Sequence, residues 1–353
     1  MKVVITGNMG YVGPVLVRHL RKLYPNAELV GYDMGLFAHC LTTREEFPER
    51  LLSRQIFGDV RDITPDLFEG ADAVVQLAAI SNDPMGNRFE KPTGEINHRS
   101  SVAVAEMAKA AGVKNYVFAS SCSVYGAAEG GPRKETDALN PLTAYARSKI
   151  DTEQSLAQLD NDAMTVTCLR FATACGWSDR LRLDLVLNDF AACAVATGRI
   201  EILSDGTPWR PLIDVADMAR AIDWAIGRDE SSGGRMLAVN TGSDQWNYQV
   251  KQLADAAAEI FPGTSVSVNP QAQPDKRSYS VDFSLFRQLA PEHQPQTTLA
   301  QSLERLRKGL TDIDFADANF RESQLIRLKV LDNHMRAGRL SPDIRWTAHE
   351  RGA

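Results

Sequence analysis

The chain has 353 residues, enough for about two domains at the usual ~150 residues each. Lys and Arg total 39 against 45 Asp and Glu, a net charge of −6, which argues against a basic nucleic-acid-binding surface. Hydrophobic residues make up 44% and charged residues 24%, the mix of a folded chain and not of a disordered or low-complexity one.

The N-terminal apolar run, Val3 to Ile5, is too short for a signal peptide. No window approaches 18 uninterrupted apolar residues, so no membrane partner is expected. The five cysteines, Cys40, Cys122, Cys168, Cys175 and Cys193, include no CxxC pair. Neither a disulfide framework nor a metal site is expected, and a reducing cytoplasm fits.

In chain order, residues 3–6 predict a strand and 13–23 a helix with Val15, Leu16, Leu20 and Leu23 on one side. Short apolar runs recur at 29–32, 55–57, 73–77 and 116–119, with a helix expected over 95–111. Short apolar runs separated by helices argue for a parallel sheet covered on both faces. Further on, helices are expected at 145–159, 183–197, 215–226, 247–260, 298–309 and 322–337, and strands at 165–170, 201–203 and 236–239. The segment 261–275 holds Pro262, Pro270 and Pro274 and predicts loop with one short strand. In the last helix Leu325, Leu328, Leu331 and Met335 share a face. That stripe, with Leu340, Ile344 and Trp346, should pack back on the body of the protein.

After the first strand comes Gly7-Asn8-Met9-Gly10-Tyr11-Val12-Gly13, a GxxGxxG. Gly7 suits a tight turn, Gly10 a close approach to a pyrophosphate, and Gly13 close packing of helix on strand. The helix start then offers N–H groups to phosphate. Asp33, 20 residues past Gly13, ends the second strand, where a carboxylate can bind a ribose diol and would repel a 2′-phosphate. The cofactor expected is NAD, held by Gly7, Met9, Gly10, Tyr11, Val12, Gly13 and Asp33.

The run Ser120-Ser121-Cys122-Ser123-Val124-Tyr125-Gly126 follows another strand, and its hydroxyls should face the same cleft. Downstream, Tyr145 and Lys149 stand one helical turn apart. An ammonium beside a phenol should lower the phenol pKa toward neutrality and make it a general acid/base.

At these residues the sequence resembles the extended short-chain dehydrogenase/reductases, in particular the NAD-dependent epimerase/dehydratase family acting on nucleotide sugars. GDVRD at 58–62 is similar to the family's GD(I/V)RD, which implies that Asp59 and Val60 lie beside the adenine. QLAA at 76–79 resembles HLAA, which places Leu77, Ala78 and Ala79 against the cofactor, and Asn97 matches an Asn of the following helix. PLTAYARSK is similar to P-x-x-x-Y-x-x-S-K, so the resemblance makes Ser121, Tyr145 and Lys149 the catalytic set, with Tyr145 and Lys149 also on the cofactor. LRFATACG at 169–176 and WRPLIDVADMARA at 209–221 resemble substrate-side segments, and DKRSYSVDFS at 275–284 one that closes over the nucleotide. The substrate residues so implied are Ser81, Ser121, Ser123, Thr173, Arg210 and Arg277. Thr173 stands where many members carry Asn, and Asp214 where many carry His or Tyr. Cys122-Ser123 stands where sugar 4,6-dehydratases carry Asp-Glu, which argues against dehydration.

The expected fold is α/β, a Rossmann-type doubly wound parallel sheet with a smaller, interleaved substrate-binding lobe. Residues 1–175 would bind NAD, with 206–242 returning to that domain, and 176–205 and 243–353 would form the lobe and C-terminal helices. The activity expected is a nucleotide-sugar epimerase working through a transient 4-keto sugar. Alternatives are a nucleotide-sugar dehydrogenase, ketoreductase or dehydratase on the same scaffold, or an NAD-sensing binding protein. The resemblance implies a homodimer pairing helices 95–111 and 145–159, with Val102, Val104, Ala105 and Ala108 at the contact.

Overall fold

A computed structural model of the chain describes residues 1–44, 46–127, 130–159, 163–269, 271–272 and 278–347. Its strands are β1 (Lys2–Thr6), β2 (Glu28–Asp33), β3 (Arg54–Phe57), β4 (Ala73–Gln76), β5 (Asn115–Ser121), β6 (Thr165–Phe171), β7 (Thr173–Cys175), β8 (Arg199–Ile202), β9 (Trp209–Asp214), β10 (Met236–Thr241), β11 (Asn247–Gln249) and β12 (Ser265–Val268). Seven of these form one parallel sheet in the order β10-β6-β5-β4-β1-β2-β3. Order reverses at β1, the strand that leads into the glycine turn, and open sheets bind ligands at such a switch.

Period-2 alternation splits the apolar strand residues between two cores. Val3, Ile5 and Val75 belong to the core on one face, Val4, Val74 and Phe118 to the core on the other. Both faces are covered, which is why these strands are continuous apolar runs. The Val12–Leu23 helix packs against the Val215–Ile226 helix over the first core. A small sheet, β11-β9-β7, and the pair β12-β8 build the lobe beside the carboxyl ends of the main strands.

Several elements differ from the expected ones. Within 206–242, β10 joins the main sheet and the Val215–Ile226 helix packs on it, while β9 pairs with β7 in the small sheet. Residues 247–249 are strand, not the first turn of a helix, because Asn247 bonds both ways with the Val281 backbone and pairs with β9. The helix then runs Val250–Ile260. Residues 183–185 form a bend, with Leu185 extended, and the next helix starts only at Val186. The helix expected over 95–111 begins as a wide π turn, Gly94–Arg99, before Ser100–Ala110. Val104, Ala105 and Ala108 on it are buried in the chain's own core, so they are not a dimer contact.

The last helix is shorter than its apolar pattern, Arg327–Arg336. Leu325, Leu331, Leu340 and Ile344 are buried, and Leu328 and Met335 pack against the second core. Residues 318–347 are thus bound to the body of their own chain. Among the described residues no helix is long and apolar enough to cross a membrane.

Candidate active site

The glycine turn is shaped by close approach. Gly7 has φ +71°, and a Cβ there would lie 2.5 Å from the Ala78 backbone nitrogen. A Cβ on Gly13 would lie 2.1 Å from the Asn8 carbonyl oxygen, so this glycine seats the helix on the turn and does not face the cleft. The Gly10 N–H closes the turn on the Gly7 carbonyl at 3.1 Å. Gly7, Gly10, Tyr11 and Val12 then border a cavity of about 440 Å³. Asp33 lines it from the end of β2, its carboxylate accepting the N–H groups of Met9 at 3.0 Å and Gly35 at 2.7 Å. Burial raises the Asp33 pKa, and those two N–H groups oppose the rise. The Met9 side chain points into the protein, so its share in the site is this backbone bond.

Val60, Leu77, Ala78 and Ala79 line the same cavity. Asp59 and Asn97, both expected on the cofactor, do not. The Asp59 carboxylate accepts the Arg61 N–H at 2.9 Å and pairs with its guanidinium at 2.5 Å. Buried Asn97 accepts the Ile80 N–H at 2.8 Å and donates to the Ile80 carbonyl and the Ser148 hydroxyl, both at 3.0 Å. Asn97 therefore fixes the backbone between Ala79 and Ser81, both of which line the cavity.

On the other side Ser121, Tyr145 and Lys149 meet. Ser121 ends β5, and its hydroxyl accepts the Ser123 N–H at 3.1 Å and hydrogen-bonds with the Tyr145 phenol. Tyr145 enters on the Ala144–Ala157 helix, which Thr143 caps by accepting the Ala146 N–H at 3.1 Å. The Lys149 ammonium, 3% exposed, donates to the Ala119 carbonyl at 2.6 Å and lies 5.5 Å from the centre of the Tyr145 ring. Burial pulls its pKa down to about 8. Burial also pushes Tyr145 up to about 12. The expected lowering by Lys149 is not what acts on this phenol, because the ammonium is turned to the Ala119 carbonyl. Ser121 and Arg182 are the groups that favour its phenolate.

Ser81, Ser123, Thr173 and Arg210 also line the cavity. The buried Ser123 hydroxyl has no hydrogen-bond partner among the described residues. Arg210 enters on β9 and donates to the Trp209 carbonyl at 2.8 Å. Arg277 lies outside the described residues. Asp214 is part of the scaffold: it caps the Val215–Ile226 helix and accepts the Ser302 hydroxyl at 2.6 Å. The Cys122 thiol faces the Arg170 carbonyl inside the protein.

Sequence reasoning missed Arg182, Asp184, Tyr279 and Arg327, which line the cavity too. Arg182 forks onto Asp184 with two bonds of 2.9 Å and donates to the Ser81 hydroxyl at 3.0 Å. Charged residues inside the apolar stretch 180–187 were the available signal, since buried charge is costly unless it is paired or used. Arg327 gave no such signal, because in sequence it reads as one of the charged residues flanking the apolar stripe of its helix.

The residues fit a dinucleotide. A Cβ would fill the cradle at Gly7, the helix end faces the cavity, and a carboxylate stands at the end of β2. Among the described residues no cluster of three or more His, Cys, Asp or Glu could hold a metal ion.

The NAD dependent epimerase/dehydratase family model matches residues 3–242. The chain belongs to that family. Among curated members it is 27% identical over 284 residues to a UDP-glucose 4-epimerase of Corynebacterium glutamicum, covering 74% of this chain and 80% of that one. It is 25% identical over 328 residues to UDP-arabinose 4-epimerase 1 of Arabidopsis thaliana, covering 86% and 77%. Among solved structures, MoeE5 in complex with UDP-glucuronic acid and NAD superposes with a TM-score of 0.73 at 26% identity, covering 88% of this chain and 99% of that one. NAD is the cofactor of the family.

Proposed function

We propose that the protein is an NAD-dependent nucleotide-sugar epimerase that works through a transient 4-keto sugar. The observation that carries the reading is the Tyr145 phenol, hydrogen-bonded to Ser121 beside Lys149 in the cavity that the glycine turn borders. Gly7, Gly10, Val12 and Asp33 would hold the adenosine and diphosphate portions, and Lys149 the nicotinamide ribose. NAD, when bound, supplies a hydride acceptor at the sugar C4 and the hydride that restores it.

The chain's own residues handle the proton. Once it has given up its own proton, Tyr145 is a phenolate, which Ser121 and Arg182 favour against burial. It takes the C4 hydroxyl proton and returns it after the sugar has turned. Ser121 orients the C4 oxygen, and the unpartnered Ser123 hydroxyl is available to the sugar ring. Arg210, which lines the cavity, would meet a substrate phosphate, and Thr173 would border the sugar. The dehydratase alternative is disfavoured because Cys122 is turned away from the cavity and no acid stands at 122–123. UDP-sugar 4-epimerases among the relatives support epimerisation.

Incubation with a panel of UDP-, dTDP-, GDP- and CDP-sugars tests the reading. One member should equilibrate with its C4 epimer with no net change in NADH absorbance. Stoichiometric NADH consumption would make the protein a ketoreductase, and loss of water a dehydratase. A cytoplasmic homodimer completes the proposal, and sedimentation at micromolar concentration tests the dimer.

A further inference from the structure

The cavity is bordered at its Asp33 end by Met34, Leu36 and Phe37, the loop that follows β2. Arg327 lines the same cavity, although it starts a helix far beyond the family match, which stops at residue 242. The residue is 1% exposed. Its guanidinium lies 4.9 Å from the centre of the Phe37 ring and donates to the Arg180 carbonyl at 2.7 Å and the Gln324 carbonyl at 3.3 Å. Both acceptors are neutral. Among the described residues no carboxylate lies within ion-pair distance of Arg327. Nearby Arg180 is paired with Glu49, and Arg182 occupies both oxygens of Asp184. Burial pulls the Arg327 pKa down to about 10; Cys40 and Asp184 oppose the fall, and Arg182 and Arg180 add to it. A buried cation without a counter-ion is costly, and an anion in the cavity would remove the cost.

The same C-terminal segment holds both walls of the Asp33 end. The Trp346 indole donates to the Met34 carbonyl at 2.6 Å, and His334 stands 3.3 Å from the Leu36 carbonyl. Arg61 donates to the carbonyls of Asp343 at 2.8 Å and Ile344 at 2.7 Å, and Arg345 pairs with Asp62 at 2.5 Å. The turn at 58–62 and the loop at 34–37 are therefore strapped to one another through residues 327–346.

We propose that Arg327 binds a phosphate of the cofactor's adenosine half, which makes the C-terminal helix part of the dinucleotide site. The inference rests on the NAD site described above. A diphosphate could come from cofactor or from nucleotide sugar; the guanidinium lies over Phe37, in the loop that follows Asp33, and this favours the cofactor.

Calorimetric titration of the full chain with ADP, adenosine and UDP tests it. Arg327→Met should weaken ADP roughly 10- to 100-fold, the size of a charge-assisted hydrogen bond, and leave adenosine and UDP within about twofold. Arg327→Lys should recover part of the loss. Equal losses for ADP and adenosine would show a packing role and overturn the proposal, as would unchanged ADP affinity. A loss confined to UDP would assign the anion to the substrate and overturn it too. Should Arg327→Met not fold, the ratio of ADP to adenosine affinity in Arg327→Lys decides: a severalfold fall supports the contact, no fall overturns it. A wild-type protein that binds ADP but interconverts no sugar nucleotide would remove the epimerase reading and leave this test standing. A wild-type protein that does not bind ADP would overturn both.

Discussion

The Met9 N–H donates to the Asp33 carboxylate at 3.0 Å, tying the glycine turn to the end of β2. The carboxylate proposed to select the ribose thereby also shapes the turn proposed to receive the phosphates. Asp33→Ala should cut the preference for NAD over NADP roughly 10-fold or more. It should also cost about 1–3 kcal/mol of stability, because the Met9 and Gly35 N–H groups lose their acceptor. Equal affinity of the wild type for the two dinucleotides in a titration would refute the role of Asp33.

Tyr145→Phe keeps the ring in its buried place and removes only the hydroxyl that bonds Ser121. Folding and NAD binding should survive, and turnover should fall by ~10²–10⁴-fold, the usual worth of a placed acid/base. A variant with near-wild-type turnover of the active sugar nucleotide would exclude the phenol as the proton carrier.

Lys149 gives a pH signature. Its folded-state pKa is lowered by burial to about 8, against 10.5 in an exposed lysine. Between those values the unfolded chain binds more protons, so stability from this group rises with pH through the window. The gain is roughly 3 kcal/mol at most, and the full penalty is present below pH 8. Urea unfolding at pH 7 and pH 10 should show a smaller difference in Lys149→Met than in the wild type. The variant should be the more stable of the two at pH 7, and a less stable variant there would contradict this account.

Leu331 is fully buried in the second core, so Leu331→Ala should cost about 2–5 kcal/mol. Deleting residues after 317 should lower the melting temperature further, since Leu325, Val330, Leu340 and Ile344 leave with it. The truncated protein should also bind NAD more weakly, because the walls at 34–37 and 58–62 lose their strap. An unchanged melting temperature would show that the helix is dispensable.

Local features were legible in the sequence. The glycine turn with Asp33, and Tyr145 one turn from Lys149, are patterns within a strand–helix unit or a single helix, where spacing fixes placement. What sequence could not show was direction and company. Asp59 and Asn97 sit beside the cofactor region in sequence, but their side chains serve Arg61 and Ile80. Lys149 has the expected spacing, yet a carbonyl holds its ammonium. Arg182 and Arg327 reach the cavity from distant segments, and only tertiary packing brings them to Tyr145 and Phe37. Residues 247–249 followed a helical pattern, and pairing with β9 overrode it.

The strap formed by residues 327–346 orders events during synthesis. Residues are added from the N-terminus, and β10 must emerge before the main sheet has its seventh strand beside β6. A nascent chain that has reached residue 242 can complete that sheet, but the pocket proposed for the adenosine is open on one side until Arg327 and Trp346 arrive. Tight capture of the dinucleotide is then a late event, coupled to the finished polypeptide. A ribosome-stalled series of increasing length should show dinucleotide retention appearing only once the last helix has cleared the exit tunnel.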